Sequence, residues 1–282
     1  CALPIINFKN LTVSGDDSTF IMHGILSGVI ISESQNITLN NFAIDWEHPF
    51  YTQGLVTSAT NNYFDVQLPT HPNWEVKNEE LWLAEEGWQF PFTYFLEFDA
   101  ITRAPAYKVK DNAGSPWNLK RRVEKLNDGL IRVHVPMLTP PKINNIIVLR
   151  AGDRYAPGLF FENNNNIICN NVTVHHASGM GFIAQKCENI TLDHCAVKPS
   201  GDRVYSTCAD ATHFANCRGL IKIEDCQFES QLDDPINIHG IYVRVKGNIG
   251  NGTLLLQLAH EAQVGLSVFM VGERVRFIRQ NT

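Results

Sequence analysis

The feature that most restricts this chain is a short motif that keeps returning: apolar-x-apolar, two polar residues, then apolar-x-apolar. It reads Ile6-Asn7-Phe8-Lys9-Asn10-Leu11-Thr12-Val13, then Ile37-Thr38-Leu39-Asn40-Asn41-Phe42-Ala43-Ile44. It returns as Ile167-Ile168-Cys169-Asn170-Asn171-Val172-Thr173-Val174 and as Ile190-Thr191-Leu192-Asp193-His194-Cys195-Ala196-Val197. A last copy is Ile221-Lys222-Ile223-Glu224-Asp225-Cys226-Gln227-Phe228. Strand side chains alternate between faces, so each copy is two short strands meeting at a polar corner. Ile167 to Ile190 is 23 residues, while Ile190 to Ile221 and Ile6 to Ile37 are each 31, one coil carrying an extra loop of 8. Periods of this size with no helical pattern belong to a parallel β-helix, in which every coil buries its apolar face on its neighbours. Leu39, Cys169, Leu192 and Ile223 should then form one interior column, and Cys195 should stack on Cys226.

The asparagines follow the same register. Asn36, Asn166 and Asn189 precede the first strand of a copy, and Asn10, Asn41 and Asn171 fall at its corner. Asparagine tolerates left-handed backbone and bonds its own turn, which suits corners repeated along an axis. Asn-x-Thr triplets at Asn10, Asn36, Asn171, Asn189 and Asn251 also match the glycosylation sequon. Recurrence in step with the coil favours the corner role.

Ile37 and Ile167 are 130 residues apart, far more than a coil, so about a hundred residues are inserted between them. The insertion holds alternating runs such as Tyr63-Phe64-Asp65-Val66-Gln67-Leu68 and Gly129-Leu130-Ile131-Arg132-Val133, punctuated by prolines and an Asn-Asp-Gly turn. It reads as a small antiparallel barrel or sandwich. Gln53-Gly54-Leu55-Val56 is echoed by His239-Gly240-Ile241-Tyr242-Val243, and Ile143 to Arg150 by Val271 to Arg279, which suggests a second barrel. The expected organisation is all-β: N-terminal coils over 1–46, an inserted barrel over 47–150, further coils over 151–240, and a second, truncated barrel from 241 to 282.

Chemistry points to three acids. Asp210 and the pair Asp233-Asp234 are about one coil apart: sliding Asp210-to-Phe214 onto Asp234-to-Ile238 is an offset of 24. Adjacent coils lie about 4.8 Å apart. Like charges so placed raise one another's pKa, a cost that a cluster with a task can justify. Glycosidic cleavage uses such a set, one carboxyl as acid and another as base. Taken alone, Asp233-Asp234-Pro235 is an ordinary turn signal; recurrence at Asp210, beside His213 and His239, argues for more. Thr212, Phe214, Ile236 and Ile238 should point inward, with Asp210, Asp234, His213, Asn237 and His239 on the outer face. His213, Asn237 and His239 are candidates for contacting sugar hydroxyls or tuning the acids. Trp46 and Phe182 are candidate stacking platforms, although aromatics in β-proteins more often fill the core. Asp153 and Arg154 mark the return to the coils, and His175 and His176 receive no role. Clustered acids also suit calcium, the less favoured reading.

The net charge of −6 lacks the basic face that nucleic acid requires. No apolar run approaches the length of a membrane span. The seven cysteines are irregularly spaced, without a CxxC pair or zinc spacing, and read as buried thiols. The chain opens at Cys1 with no initiator Met and no signal peptide, and stops at Thr282 within a strand-like pattern, so it reads as a fragment. A lipoprotein whose mature end is Cys1 is the minor alternative.

From Arg150 to Gly240 the sequence resembles the glycoside hydrolase family 110 α-galactosidases. The segments that carry the likeness are Gly158-Leu159-Phe160-Phe161-Glu162, Cys208-Ala209-Asp210-Ala211-Thr212-His213-Phe214 and Leu232-Asp233-Asp234-Pro235-Ile236-Asn237-Ile238-His239-Gly240. Ile44-Asp45-Trp46 and Gln53-Gly54, where the insertion opens, match the layout of that family as well. The resemblance implies a right-handed parallel β-helix with attached barrels and a bacterial, periplasmic or secreted enzyme. It further implies inverting removal of terminal α-1,3-linked galactose from oligosaccharides or glycoproteins, with no metal or other cofactor. The catalytic acids of the family fall on Asp210, Asp233 and Asp234. Self-association into a homo-oligomer stays open. A polygalacturonase-like hydrolase is the runner-up among enzymes, but its Gly-His-Gly and Arg-Ile-Lys segments are missing. A non-catalytic carbohydrate-binding solenoid is the alternative from a different class.

Overall fold

The computed structural model describes residues 2–70, 73–85, 87–260, 268–269 and 271–279. Strand is the dominant regular structure of the described residues, their one helical element being the 3-10 turn Asp111–Gly114. Two sheets are built entirely from parallel pairs. The first runs Leu3–Ile6, Val29–Ser32, Leu159–Glu162, Phe182–Gln185, Thr212–Ala215, Ile236–His239. The second stacks Lys9–Met22, Gln35–Trp46, Asn165–Val174, Glu188–Asp193 and Arg218–Glu224, with Ala196–Val197 and Gln227–Phe228 continuing the far side of the corner. Gln35–Trp46 pairs directly with Asn165–Val174, Ile37 opposite Ile167, although 130 residues intervene.

Register puts Leu39, Cys169, Leu192 and Ile223 in one line, and the first three are fully buried. The Cys195 and Cys226 thiols touch across adjacent strands. Asn36 Nδ2 donates to Asn10 Oδ1 (2.8 Å), Asn166 Nδ2 to Asn36 Oδ1 (2.9 Å), and Asn171 Nδ2 to Asn41 Oδ1 (3.1 Å). All five residues have positive φ, between 51° and 60°. Short side chains that hydrogen-bond locally tolerate this left-handed geometry.

The first copy of the motif departs from the expected alignment. Leu11, not Ile6, pairs with Ile37, an offset of 26, and Ile6 pairs with Ser32 of the other sheet. Asn10 therefore continues the ladder of Asn36 and Asn166 at the start of the strand rather than occupying the corner. A register shift between Ser14 and Ser18, with Asp16 and Asp17 at positive φ, absorbs extra residues at the corner. Polar residues there resemble a strand end, and that obscured the offset.

The insertion forms an antiparallel sheet in the order Arg122–Lys125, Leu130–His134, Tyr63–Gln67, Tyr51–Ala59, Ile146–Ala151, Trp88–Phe98, Glu80–Glu85, Trp74–Lys77. The Val123 N–H donates to the Glu79 carbonyl at 2.7 Å, bringing its two edges together as a near-closed barrel. Phe64, Val66, Phe95, Ile131 and Val133 fill it, in a cluster continuous with the parallel stack. Beyond Gly240 the described residues hold one hairpin, Val243–Gly250 with Thr253–Leu258. Residues 271–279, expected to echo Ile143 to Arg150, form no strand, and residues 261–267, 270 and 280–282 lie outside the described set. No described helix is long and apolar enough to cross a membrane.

Candidate active site

Asp210 closes a loop that leaves the corner strand at Val197 and enters Thr212–Ala215. Backbone bonds fix the turn: Cys208 N–H to Ala177 O (3.3 Å), Ala209 N–H to Gly179 O (3.3 Å) and Ala211 N–H to Asp234 O (2.9 Å). The last of these is the coil-to-coil contact that brings distant acids together. One carboxylate oxygen each of Asp210, Asp233 and Asp234 lies within 4.8 Å of the others. Asp210 is buried, while Asp233 and Asp234 are exposed.

Each acid has a different environment. Asp210 Oδ2 accepts from His213 Nδ1 at 2.6 Å and from Asn237 Nδ2 at 3.3 Å. Burial opposes ionisation of Asp210, but the bonds and charge from His213, the Asn237 amide and the Asp234 backbone outweigh it and hold the carboxyl below its ordinary range. Asp233 Oδ2 accepts from Arg154 Nη2 at 2.6 Å. His239 continues the line beyond His213, the two Nε2 atoms being 3.0 Å apart. His213 and Asn237 are register partners on adjacent strands, so the parallel stacking itself places both against Asp210.

Two placements differ from the sequence reading. Asp210, expected on the outer face, is only 3% exposed, because His213 and Asn237 cover it. Ile236 and Ile238 are register partners of the buried Thr212 and Phe214 yet are 45% and 55% exposed, since their strand is the last described in its sheet. Trp46 and Phe182 are buried core, which removes both as sugar platforms. Asp153 holds the backbone N–H of Arg154 at 2.8 Å. Arg154 joins the acids, and the sequence offered no signal for that beyond its position at the return from the insertion. His176 is buried: Nδ1 donates to Ser206 O at 2.6 Å and Nε2 accepts from the Phe50 N–H at 3.1 Å. Burial, helped by the Arg203 charge, lowers its pKa to about 3, so it is a neutral bracket between the barrel and the coils.

Three oxygens this close are also spaced as cation donors, as are the side chains of Asp193, His194 and Asp225. At the first group, however, Asp210 and Asp233 already receive protein donors. Carboxylates clustered in this way can also exchange protons and hold water or hydroxyls.

Residues 52–147 match a family described as GLAA-B beta-barrel domain I. Over 98% of its length the chain is 34% identical to a protein of Shewanella woodyi named alpha-1,3-galactosidase A, covering 46% of that protein. It is 31% identical over its whole length to alpha-1,3-galactosidase B of Bacteroides thetaiotaomicron, again covering 46%. The chain thus spans just under half the length of these curated relatives. Among solved structures, the tailspike protein gp49 of Pseudomonas phage LKA1 covers 81% of the chain at 11% identity and a TM-score of 0.23, a likeness too slight to inform the fold.

Proposed function

We propose that this chain carries the catalytic centre of a glycoside hydrolase of family 110 that releases terminal α-1,3-linked galactose from oligosaccharides or glycoproteins. The observation that carries the reading is the convergence of Asp210, Asp233 and Asp234 within 4.8 Å. The names of the similar proteins support the sugar and the linkage. In this reading the two parallel sheets are the walls of a right-handed parallel β-helix over 1–46 and 151–240. Residues 47–150 are an inserted barrel, which the family match over 52–147 supports, and 241–282 begin a second. The enzyme is bacterial and periplasmic or secreted, acts from the non-reducing end, and uses no metal.

One acid protonates the leaving oxygen while another activates water. His213, Asn237 and His239 stand beside the same centre, His213 and Asn237 bonded to Asp210 and His239 to His213. Inversion requires carboxyls about 6.5–9.5 Å apart and retention about 5–5.5 Å. One oxygen of each acid lies within 4.8 Å of the others, a limit on single atoms that is compatible with either spacing of whole carboxyl groups. The stereochemical test is therefore decisive: NMR during early turnover of an α-1,3-galactoside should show β-galactose first, and α-galactose would replace inversion with retention. Asp210→Asn, Asp233→Asn and Asp234→Asn should each lower kcat/KM by roughly two or more orders of magnitude with the fold intact. Unchanged rates in all three would remove the site. Binding of galactosides without turnover by the unaltered protein would favour a carbohydrate-binding solenoid instead.

A further inference from the structure

We propose that His213 and His239 share one proton, making a cationic imidazole pair that orients and charge-balances Asp210, so that His213 is a positioning residue rather than a sugar contact. The inference rests on the reading above for its catalytic consequence, but not for the proton itself. His239 Nδ1 lies 2.9 Å from the Gly240 carbonyl oxygen, which only accepts, so Nδ1 carries hydrogen. His213 Nδ1 lies 2.6 Å from Asp210 Oδ2 and donates to it when the acid is ionised. Both Nε2 atoms would then be bare lone pairs if the rings were neutral, yet they face each other at 3.0 Å. A proton between them turns that repulsion into a hydrogen bond. The line Gly240 O, His239, His213, Asp210 then contains three bonds and three protons, all on nitrogen.

The alternative puts the same three protons in different places. A protonated Asp210 would donate to His213 Nδ1, and His213 Nε2–H to His239 Nε2, leaving two hydrogens on nitrogen. The depressed pKa of Asp210 favours the ionised form. So does the surrounding charge. Asp233 and Asp234 lie close to Asp210, and Arg154 is engaged by Asp233. Asn237 supplies a neutral donor to Asp210 from the adjacent strand. Three carboxylates in this space need a second positive charge, and the imidazole pair provides it beside the buried member. His213 Nδ1 and Asn237 Nδ2 both donate to Oδ2, so the imidazole and the amide together fix the orientation of the Asp210 carboxylate.

The test is a count of hydrogens on the imidazole nitrogens by ¹⁵N–¹H NMR of histidine-labelled protein near neutral pH, assigned with His213→Gln and His239→Gln. The proposal expects hydrogen on three of the four ring nitrogens of His213 and His239, falling to two in Asp210→Asn. Two of four in the unaltered protein would overturn it, whether or not the protein hydrolyses galactosides. For function, His239→Gln keeps an acceptor for His213 but cannot hold the shared proton. It should lower kcat about 10- to 100-fold through misplacement of Asp210, with KM little changed. A raised KM at unchanged kcat would make His239 a sugar contact and reject the positioning role. Absence of galactosidase activity in the unaltered protein, with three nitrogen-bound hydrogens present, would reject the enzymatic reading while leaving the shared proton standing.

Discussion

At the scale of single residues, burial and the partners it leaves together decide what a titratable side chain does. Asp210 and His176 are both buried, yet His213 and Asn237 keep one charged, while burial and the nearby Arg203 charge keep the other neutral. The sign for His176 follows from linkage: the folded ring resists protonation down to about 3, while the unfolded ring takes a proton below its ordinary 6.5. The unfolded state binds more protons across that window, so stability falls as pH drops from 6.5 toward 3. By pH 5 the loss should approach about 2 kcal/mol. Urea unfolding at pH 7 and pH 5 checks this: His176→Gln should be less stable at pH 7 but show a shallower decline than the unaltered protein. The sequons carry a residue-level lesson too. At Asn36 and Asn171 the amide nitrogen that a glycan would occupy already donates along a ladder in the stack, so attachment there would compete with inter-strand bonds.

At the scale of elements, close backbone approach fixes residue choice ahead of three strands of the first sheet, Val29–Ser32, Leu159–Glu162 and Phe182–Gln185. A Cβ on Gly181 would lie 2.6 Å from the Ala211 carbonyl oxygen and 2.6 Å from Val197 Cγ2. Gly28 and Gly158 occupy the matching places on earlier strands, each meeting a glycine carbonyl of the next coil at 2.8 and 2.9 Å. Gly181→Ala should therefore cost about 1–3 kcal/mol, since a backbone carbonyl gives way less readily than a side-chain tip. Gly247→Ala, whose Cβ would meet nothing within 4 Å, should be near neutral; chemical denaturation of the two variants makes the comparison. In the interior column, Leu192→Ala should cost about 2–5 kcal/mol, because stacked neighbours above and below limit collapse of the cavity.

At the scale of the whole molecule, the insertion grips the loop that delivers Asp210. Gln53 Nε2 donates to Asp202 O at 2.9 Å and its Oε1 accepts from the Val204 N–H at 3.1 Å. Arg103 bonds the same Asp202 carbonyl, and Tyr51 Oη donates to Tyr205 O at 3.1 Å. From the coil side, Asp45 holds Arg203 and, at 2.8 Å, Ser200. Burial works against the Asp45 charge, but Arg203 and the hydroxyl hold its carboxyl below the usual range. Its stabilisation is thus present above the unfolded value of 3.8 and is lost as pH falls through the lower folded value. Arg203→Met should lower stability by about 3–5 kcal/mol, since it strands a largely buried carboxylate. On the function proposed above it should depress galactoside hydrolysis as well, because the same loop carries Asp210. A thermal melt together with kcat/KM measures both, and activity retained at full stability would show that the loop does not depend on this anchor.

The periodic pattern was enough to establish parallel pairing from Ile37 onward, the interior line through Cys169 and Leu192, and the one-coil spacing that sets Asp210 beside Asp234, because strand alternation and coil length are local, additive properties. It misplaced Ile6, where irregular corner residues broke the count. Arg154 on Asp233, the barrel's hold on Asp202 and Val204, and the facing Nε2 atoms of His213 and His239 have no sequence period. They arise where segments distant along the chain meet, so their distances, and with them the protonation of the site, were fixed only when the inserted barrel docked against the coils and the coils stacked on one another.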